Sequence, residues 1–277
     1  MGILYIVATP IGNLEDITLR ALRILKEVSL IAAEDTRHTR QLLTHFDIHT
    51  PLTSYFEHSK LQKLDVIKNA LELGDVALVS DAGTPTINDP GYELIKYVIE
   101  CGFTVSPIPG PSSTIAALST SGLPTDSFLF LGYLPRKTGE RNEIFTKIKD
   151  HPYTIIFLES PNRLVSSLKD MYDFFGDRRV VVSREITKKF EEVIRGTLSE
   201  VIQKVGKEPK GEIVLVLEGR STLAQEKLSE EKIMNLIQAA LELGEPIKEV
   251  ASELAKSTGY ERRVLYQMAI EIKQNQK

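Results

Sequence analysis

Apolar positions in the first half of the chain come in short unbroken runs, and the segments between them repeat at helical spacing. The segments at 3–8, 29–33, 75–79 and 104–108 read as strands, the first of them buried, with a shorter one at 51–56. Helical spacing occupies 17–26, 39–46, 60–73 and 92–100, and Gly74 closes the third of these. Strands alternating with helices predict a mostly parallel sheet flanked by helices, an N-terminal domain over 1–121. Gly122-Leu-Pro-Thr-Asp126 interrupts the pattern as a linker.

Beyond the linker, strands are predicted at 127–132, 153–158, 178–183, 193–198 and 211–218. One helix ends near 149, another runs to 175, and a short one starts at Ser199. Long helices do not separate every pair of these strands, so a second α/β domain over 122–225 should hold a mixed sheet. From Ser229 the pattern is purely helical, with segments at 231–243, 247–256 and 261–273. The last two are joined by Ser257-Thr-Gly-Tyr260, a helix-turn-helix-like arrangement in a small C-terminal extension over 226–277. The predicted fold is therefore α/β, with two domains and a helical appendage.

The strand ends carry the chemistry. Ser80-Asp-Ala-Gly-Thr-Pro-Thr-Ile-Asn-Asp-Pro-Gly91 leaves one strand and enters a helix, the place where α/β sheets hold ligands. Gly83 lets backbone approach a ligand without a Cβ in the way. Pro85 and Pro90 stiffen the loop, Thr84 and Asn88 offer hydrogen bonds, and Asp81 offers a charge. A capped surface turn uses the same residue types, but twelve residues with two prolines, two glycines and two aspartates exceed what a turn requires. The first loop, Thr9-Pro-Ile-Gly-Asn13, lacks G-x-G-x-x-G, which disfavours a dinucleotide held by its pyrophosphate. Asn13 or Asp16 can cap the helix that follows. In Pro109-Gly-Pro-Ser-Ser113, Pro111 at the first turn, with Ser112 and Ser113, leaves free N–H groups suited to a carboxylate. Glu34-Asp35-Thr36-Arg37 is either a functional cluster or the cap of the next helix.

A net charge of −4 excludes a polycation, so any nucleic-acid contact must come from a local patch. Arg136, Lys137 and Arg141 form one cluster; Arg178, Arg179, Arg184, Lys188 and Lys189 form another. Arg262, Arg263, Tyr266, Gln267 and Lys273 give the last helix either a nucleic-acid face or the polar side of a packing or dimerisation module. Cys101 is the single cysteine, which excludes an intrachain disulfide, disfavours a thiolate metal cluster and fits a reducing cytoplasm. No HExxH spacing is present, and Asp47-Ile48 separates His45 from His49, which read as surface residues. The N-terminus lacks the order of a signal peptide, and no apolar run is long enough to span a bilayer.

Several stretches together resemble the ribosomal RNA small-subunit methyltransferase I family, of the tetrapyrrole methylase fold. They are Ala8-Thr-Pro-Ile-Gly-Asn-Leu-Glu-Asp-Ile-Thr18, Glu34-Asp-Thr-Arg37, the Ser80 to Gly91 loop, Pro109-Gly-Pro-Ser112, Gly132-Tyr-Leu-Pro-Arg-Lys137, Glu159-Ser-Pro-Asn-Arg163 and Arg184-Glu-Ile-Thr-Lys-Lys-Phe-Glu-Glu192. The resemblance implies methylation of a cytidine 2′-hydroxyl in the decoding centre of 16S rRNA, with S-adenosylmethionine as cofactor, no metal, and a homodimer. It places the cofactor in a cleft lined by Pro10, Gly83, Thr84, Ile87, Ser112 and Ser113, with Asp81 nearby and Leu158 and Ile186 closing it from the second domain. Candidate catalytic groups are Asp35, Asp81, Arg184, Glu185 and Lys188, with Glu34, Glu159 and Arg37 as further charges; each is equally suited to a structural ion pair. Arg136, Lys137, Arg141, Lys188, Lys189, Arg262 and Arg263 are the candidate RNA contacts. A tetrapyrrole or diphthine precursor as acceptor, or a non-catalytic ribosome-assembly role, are the competing readings.

Overall fold

A computed structural model of the chain describes residues 2–55, 60–206, 211–220, 230–258 and 260–275. The order of elements follows the apolar pattern. Strands β1 (Ile3–Val7), β2 (Leu30–Ala33), β3 (Leu52–Ser54), β4 (Val76–Val79) and β5 (Thr104–Ile108) form a wholly parallel sheet in the order β3-β2-β4-β1-β5. Helices α1 (Leu19–Glu27), α2 (Thr36–His45), α3 (Lys60–Leu73) and α4 (Tyr92–Glu100) make the crossovers, and α5 (Ser113–Ser121) follows the last strand. Every residue of β4 is buried, as a central parallel strand covered on both faces requires. One face packs on a core around Ile24, Leu25, Ile31 and Val79, and the other on one around Leu4, Ile67, Leu71 and Leu78.

Two helix starts differ from the sequence reading, and capping explains both. Thr18, rather than Asn13 or Asp16, caps α1, accepting a hydrogen bond from the Ala21 amide at 3.1 Å. Asn13 instead caps a short 3₁₀ turn, Leu14–Asp16. Helix α2 begins at Thr36, three residues early, because the Asp35 carboxylate accepts the Arg37 amide at 2.8 Å.

The second sheet is mixed, in the order β6-β7-β10-β8-β9. It comprises β6 (Phe128–Tyr133), β7 (Thr154–Glu159), β8 (Arg179–Arg184), β9 (Glu192–Thr197) and β10 (Ile213–Leu217). Only β6 and β7 run parallel; β10 lies antiparallel between β7 and β8. Helices α6 (Thr138–Ile148), α7 (Leu164–Phe175) and α8 (Leu198–Lys204) belong to this half. Ala117, Leu118 and Leu123, on and just after α5, share a buried core with Ile156, Val181, Val214 and Val216. Helix α5 thereby joins the two sheets into one compact unit, Met1–Lys147 with Thr154–Leu217.

The remaining unit, Ile148–Tyr153 with Glu218–Lys277, holds α9 (Glu230–Glu242), α10 (Ile247–Thr258) and α11 (Arg262–Asn275). Ile233, Ile237, Val250, Ala251, Leu265 and Ala269 form its core at helical spacing. The expected start of the helical region at Ser229, and Gly259 of the α10–α11 turn, lie outside the described residues. Among the described residues, no helix is long and apolar enough to cross a membrane.

Candidate active site

The strand order decides where a ligand can sit. Strands β2, β4, β1 and β5 are neighbours, so the loops at their C-terminal ends meet although they are far apart in sequence. Thr9 and Gly83 exchange backbone hydrogen bonds of 2.9 and 3.0 Å, tying the first loop to the central one. Thr84 Oγ1 donates to the Pro111 carbonyl at 3.2 Å, tying the central loop to the third. Pro111 therefore precedes the cap rather than opening the helix; Ser112 is the cap, and Ser113 is the first helical residue.

These loops and the inner face of the second sheet enclose a cleft of about 240 Å³. Asp81, Gly83, Thr84, Ile87, Ser112 and Ser113 line it from the first sheet, and Leu158 and Ile186 from the second. Pro10 does not; its neighbour Ile11 does, while Pro10 lines a separate depression beside His38 and Ser80. Glu34, Asn88, Asp89, Tyr133 and Glu212 complete the wall. Gly83 has φ +81°, a backbone geometry glycine adopts freely. Thr86 (φ 74°) and Asn88 (φ 66°) on the same loop, and Glu185 (φ 52°) and Thr187 (φ 67°) on the opposite lip, hold that geometry at a cost.

The first-sheet end of the cleft is acidic. Asp81 Oδ1 accepts the Asp35 amide at 3.2 Å, and Glu34 Oε2 accepts the Asp81 amide at 3.4 Å. Burial raises the Glu34 carboxyl above its ordinary range; the Asp81 amide pulls it back, and Asp81, Asp89 and Asp35 push it further up. Asp89 is also raised, first by burial and then by Asp81, against a hydrogen bond from Ser80. The Glu34-Asp35 pair thus divides between the two roles read from sequence: Glu34 faces the cleft, and Asp35 caps α2. Asp35 additionally binds Arg37 at 2.7 Å, which lowers its carboxyl far below the usual range and makes it a poor proton acceptor.

Residues 3–202 match the family described as Tetrapyrrole (Corrin/Porphyrin) Methylases. Over 274 residues the chain is 45% identical to Ribosomal RNA small subunit methyltransferase I of Halalkalibacterium halodurans, covering 96% of this chain and 93% of that protein. The protein of the same name from Pseudomonas aeruginosa is 42% identical over 281 residues, covering 98% and 97%. The chain belongs to the ribosomal RNA small subunit methyltransferase I family. Among solved structures, diphthine synthase superposes with a TM-score of 0.60 at 16% identity, over 78% of this chain and 90% of that one. Uroporphyrin-III C-methyl transferase from Thermus thermophilus complexed with S-adenyl homocysteine gives 0.53 at 19% identity, over 78% and 97%. At these identities the likeness establishes the tetrapyrrole methylase fold, as the sequence motifs implied.

For this family member the structure sorts the remaining charged candidates. Asp81 is the one among Asp35, Asp81, Arg184, Glu185 and Lys188 that lines the cleft. Lys188 Nζ lies 3.0 Å from Glu185 and 3.4 Å from Glu212. Burial opposes both charges of the Glu185–Lys188 pair, yet their mutual attraction wins, lowering the Glu185 carboxyl and raising the Lys188 ammonium. This lip also abuts the first loop, since a Cβ on Gly12 would collide with Lys188. Arg184 pairs with Glu192 at 2.8 Å, while its Nε and the Thr187 hydroxyl are buried without a hydrogen-bond partner.

Two charged candidates are corrected. Glu159 is 1% exposed and points away from the cleft, accepting hydrogen bonds from the Ser160 amide and the Ser167 hydroxyl and pairing with Arg163. Arg141, a candidate RNA contact in the sequence, is 4% exposed. Its guanidinium binds Asp170, the Pro135 and Arg136 carbonyls and Thr138, so it folds the 135–138 loop onto α7 and is closed to phosphate. Arg136 and Lys137 remain exposed at the head of α6, with Lys137 3.0 Å from Glu140. Lys189 and Phe190 project from the β8–β9 loop, Phe190 being 69% exposed. Arg262 and Arg263 are exposed on the first turn of α11.

Asp89, Tyr133 and Glu212 line the cleft without standing out in the sequence. Asp89 and Tyr133 lie inside motif stretches, but Glu212 sits at the start of β10 with no motif around it.

Proposed function

We propose that this chain methylates the ribose 2′-hydroxyl of a cytidine in the decoding centre of 16S rRNA, with S-adenosylmethionine as methyl donor. The carrying observation is a cleft built from adjacent strand ends in a chain 42–45% identical, over nearly its whole length, to proteins named for ribosomal RNA methylation. The cleft's groups fit the donor. Gly83 brings backbone to the cleft wall with no Cβ in the way, the α5 N-terminus at Ser112 and Ser113 suits a carboxylate, and Glu34, Asp81 and Asp89 suit cationic groups. S-adenosylmethionine supplies an electrophilic methyl group when bound.

The protein's part is mainly alignment of the reacting atoms. Ile11, Leu158, Ile186 and Val214 give the cleft its apolar walls. A ribose hydroxyl is a weak nucleophile, and Glu34 and Asp89, whose carboxyls burial raises, are the groups suited to accept its proton. Lys188, already neutralised by two carboxylates, serves to brace the lip against the first loop.

The test is incubation with labelled donor and small ribosomal particles, alongside a tetrapyrrole and a diphthine precursor. Label entering particles supports the proposal; label entering only a small-molecule or protein acceptor replaces it. Absence of donor binding by calorimetry would leave a non-catalytic assembly role.

RNA contact is assigned to the exposed cations Arg136, Lys137, Lys189, Arg262 and Arg263. Reversing Arg136 and Lys137 to Glu should weaken RNA binding and flatten its salt dependence, the slope changing by about 0.7–0.9 for each phosphate no longer neutralised. Donor affinity should stay at the parent value. An unchanged salt slope would place the RNA track elsewhere.

The enzyme is further proposed to act in the cytoplasm as a homodimer, whose interface, if obligate, would bury roughly 2,000 Å² or more. Sedimentation at micromolar concentration should give twice the chain mass, and a monomer would refute the dimer.

A further inference from the structure

A second cavity, of about 320 Å³, opens on the other side of the central loop. Its walls are Tyr55, Leu64, Pro90, Gly91, Tyr92 and Leu94, with the acidic residue Glu93, and Asp89 lines both it and the cofactor cleft. The volume lies at the lower end of the range for small-ligand pockets, and the lining is mostly apolar and aromatic. Tyr55 is a fixed wall, because its hydroxyl donates to the Pro90 carbonyl at 3.0 Å. Tyr92, the first residue of α4, leaves 71% of its surface exposed at the rim.

We propose that this pocket receives the base of the acceptor nucleotide, stacked on Tyr92; the inference rests on the RNA reading above. Methylation of a ribose within folded RNA needs that nucleotide presented to the cleft, and a base splayed out of its stack docks on aromatic side chains. Aromatic faces bind an unstacked base whatever its identity. The two cavities share Asp89 in their linings. A base on the Tyr92 side would place its ribose near Asp89, at the edge of the proposed donor cleft. A carboxylate at that point can accept a hydrogen bond from a ribose hydroxyl or an exocyclic amine.

Tyr92→Ala and Tyr92→Phe test the pocket in the full-length enzyme, with labelled S-adenosylmethionine and small ribosomal particles lacking the modification. Tyr92→Ala should raise KM for particles roughly ten-fold or more, the scale of removing one base–aromatic stack. Tyr92→Phe, which keeps the ring, should stay near the parent. The donor dissociation constant should not change in either variant, because Tyr92 lines the second cavity and not the cleft. A parental KM in Tyr92→Ala overturns the pocket while leaving the methyltransfer reading standing. Weakening of donor binding by the same factor also overturns it, by moving Tyr92 to the cofactor. A parent enzyme that methylates no particles overturns the RNA reading itself, and the pocket's assignment falls with it.

Discussion

Replacing Glu159 by alanine is expected to cost about 3–5 kcal/mol of stability, the scale for removing one partner of a buried ion pair. The carboxylate sits at the end of β7 with its side chain fully buried, and Arg163 lies 2.5 Å from it. Ser160 and Ser167 occupy its remaining positions, at 2.6 and 2.5 Å. Arg163 in turn reaches the Leu134 carbonyl at 3.0 Å and Ser160 Oγ at 2.9 Å, so the carboxylate anchors the segment after β6 as well as the start of α7. Alanine leaves the half-buried Arg163 guanidinium without its charge partner and removes the acceptor for Ser167. At about 2–4 °C per kcal/mol for a chain near this size, the melting temperature should fall by roughly 10 °C. Glu159→Gln, which keeps one acceptor oxygen, should lose less. A change within about 1 kcal/mol of the parent in urea unfolding would show that the pair is not the anchor described.

Gly83→Val is expected to weaken S-adenosylmethionine binding by about 1–3 kcal/mol, or roughly 5- to 150-fold in Kd, if the loop is held in its present conformation. The sequence suggests overpacking as the cause. That clash is with the bound ligand; against the protein itself a Cβ at Gly83 would come no closer than 3.5 Å to Ile11 and 4.0 Å to the Pro111 carbonyl, which is ordinary contact, and the structure adds a second cause. The strain arises from φ +81° in a residue whose N–H and C=O are both bonded to Thr9. Gly83→Ala should therefore carry much of the loss, at about 1–2 kcal/mol. Calorimetric titration of both variants, after circular dichroism has shown them folded, separates the two causes. A harmless alanine with a harmful valine would restore overpacking; two harmless variants would remove this loop from the cofactor site.

The strands and the loops of the first sheet were legible because their signals are local. The buried run Val76–Val79 can only be a central strand, and the glycine- and proline-rich stretches mark its neighbours' ends. The convergence of those loops depends on the order β3-β2-β4-β1-β5, which no local pattern encodes. Arg141 shows the limit most plainly. In sequence it is a third cation beside Arg136 and Lys137, but α6 and α7 bring Asp170 to it from 29 residues away and bury the pair. Glu212 enters the cleft through β10's pairing with β7 and β8, again a non-local fact. Pro10 lines a neighbouring depression and Ile11 the cleft, a one-residue difference that follows from a bend at Ile11 and Gly12 with no local sign in the sequence. The positive φ values of Thr86, Glu185 and Thr187 had no sequence sign, since threonine and glutamate rarely adopt them.

The proposed transfer of methyl to one ribose hydroxyl of 16S rRNA has a direct readout. Small ribosomal particles lacking the modification are reacted with labelled S-adenosylmethionine and the parent enzyme, and the label is mapped by nuclease digestion and mass spectrometry. A single 2′-O-methylcytidine in the decoding centre, absent when the enzyme is omitted, is the expected product. Label on a base, on another ribosomal RNA position, or on ribosomal protein instead of that ribose would contradict the proposed reaction.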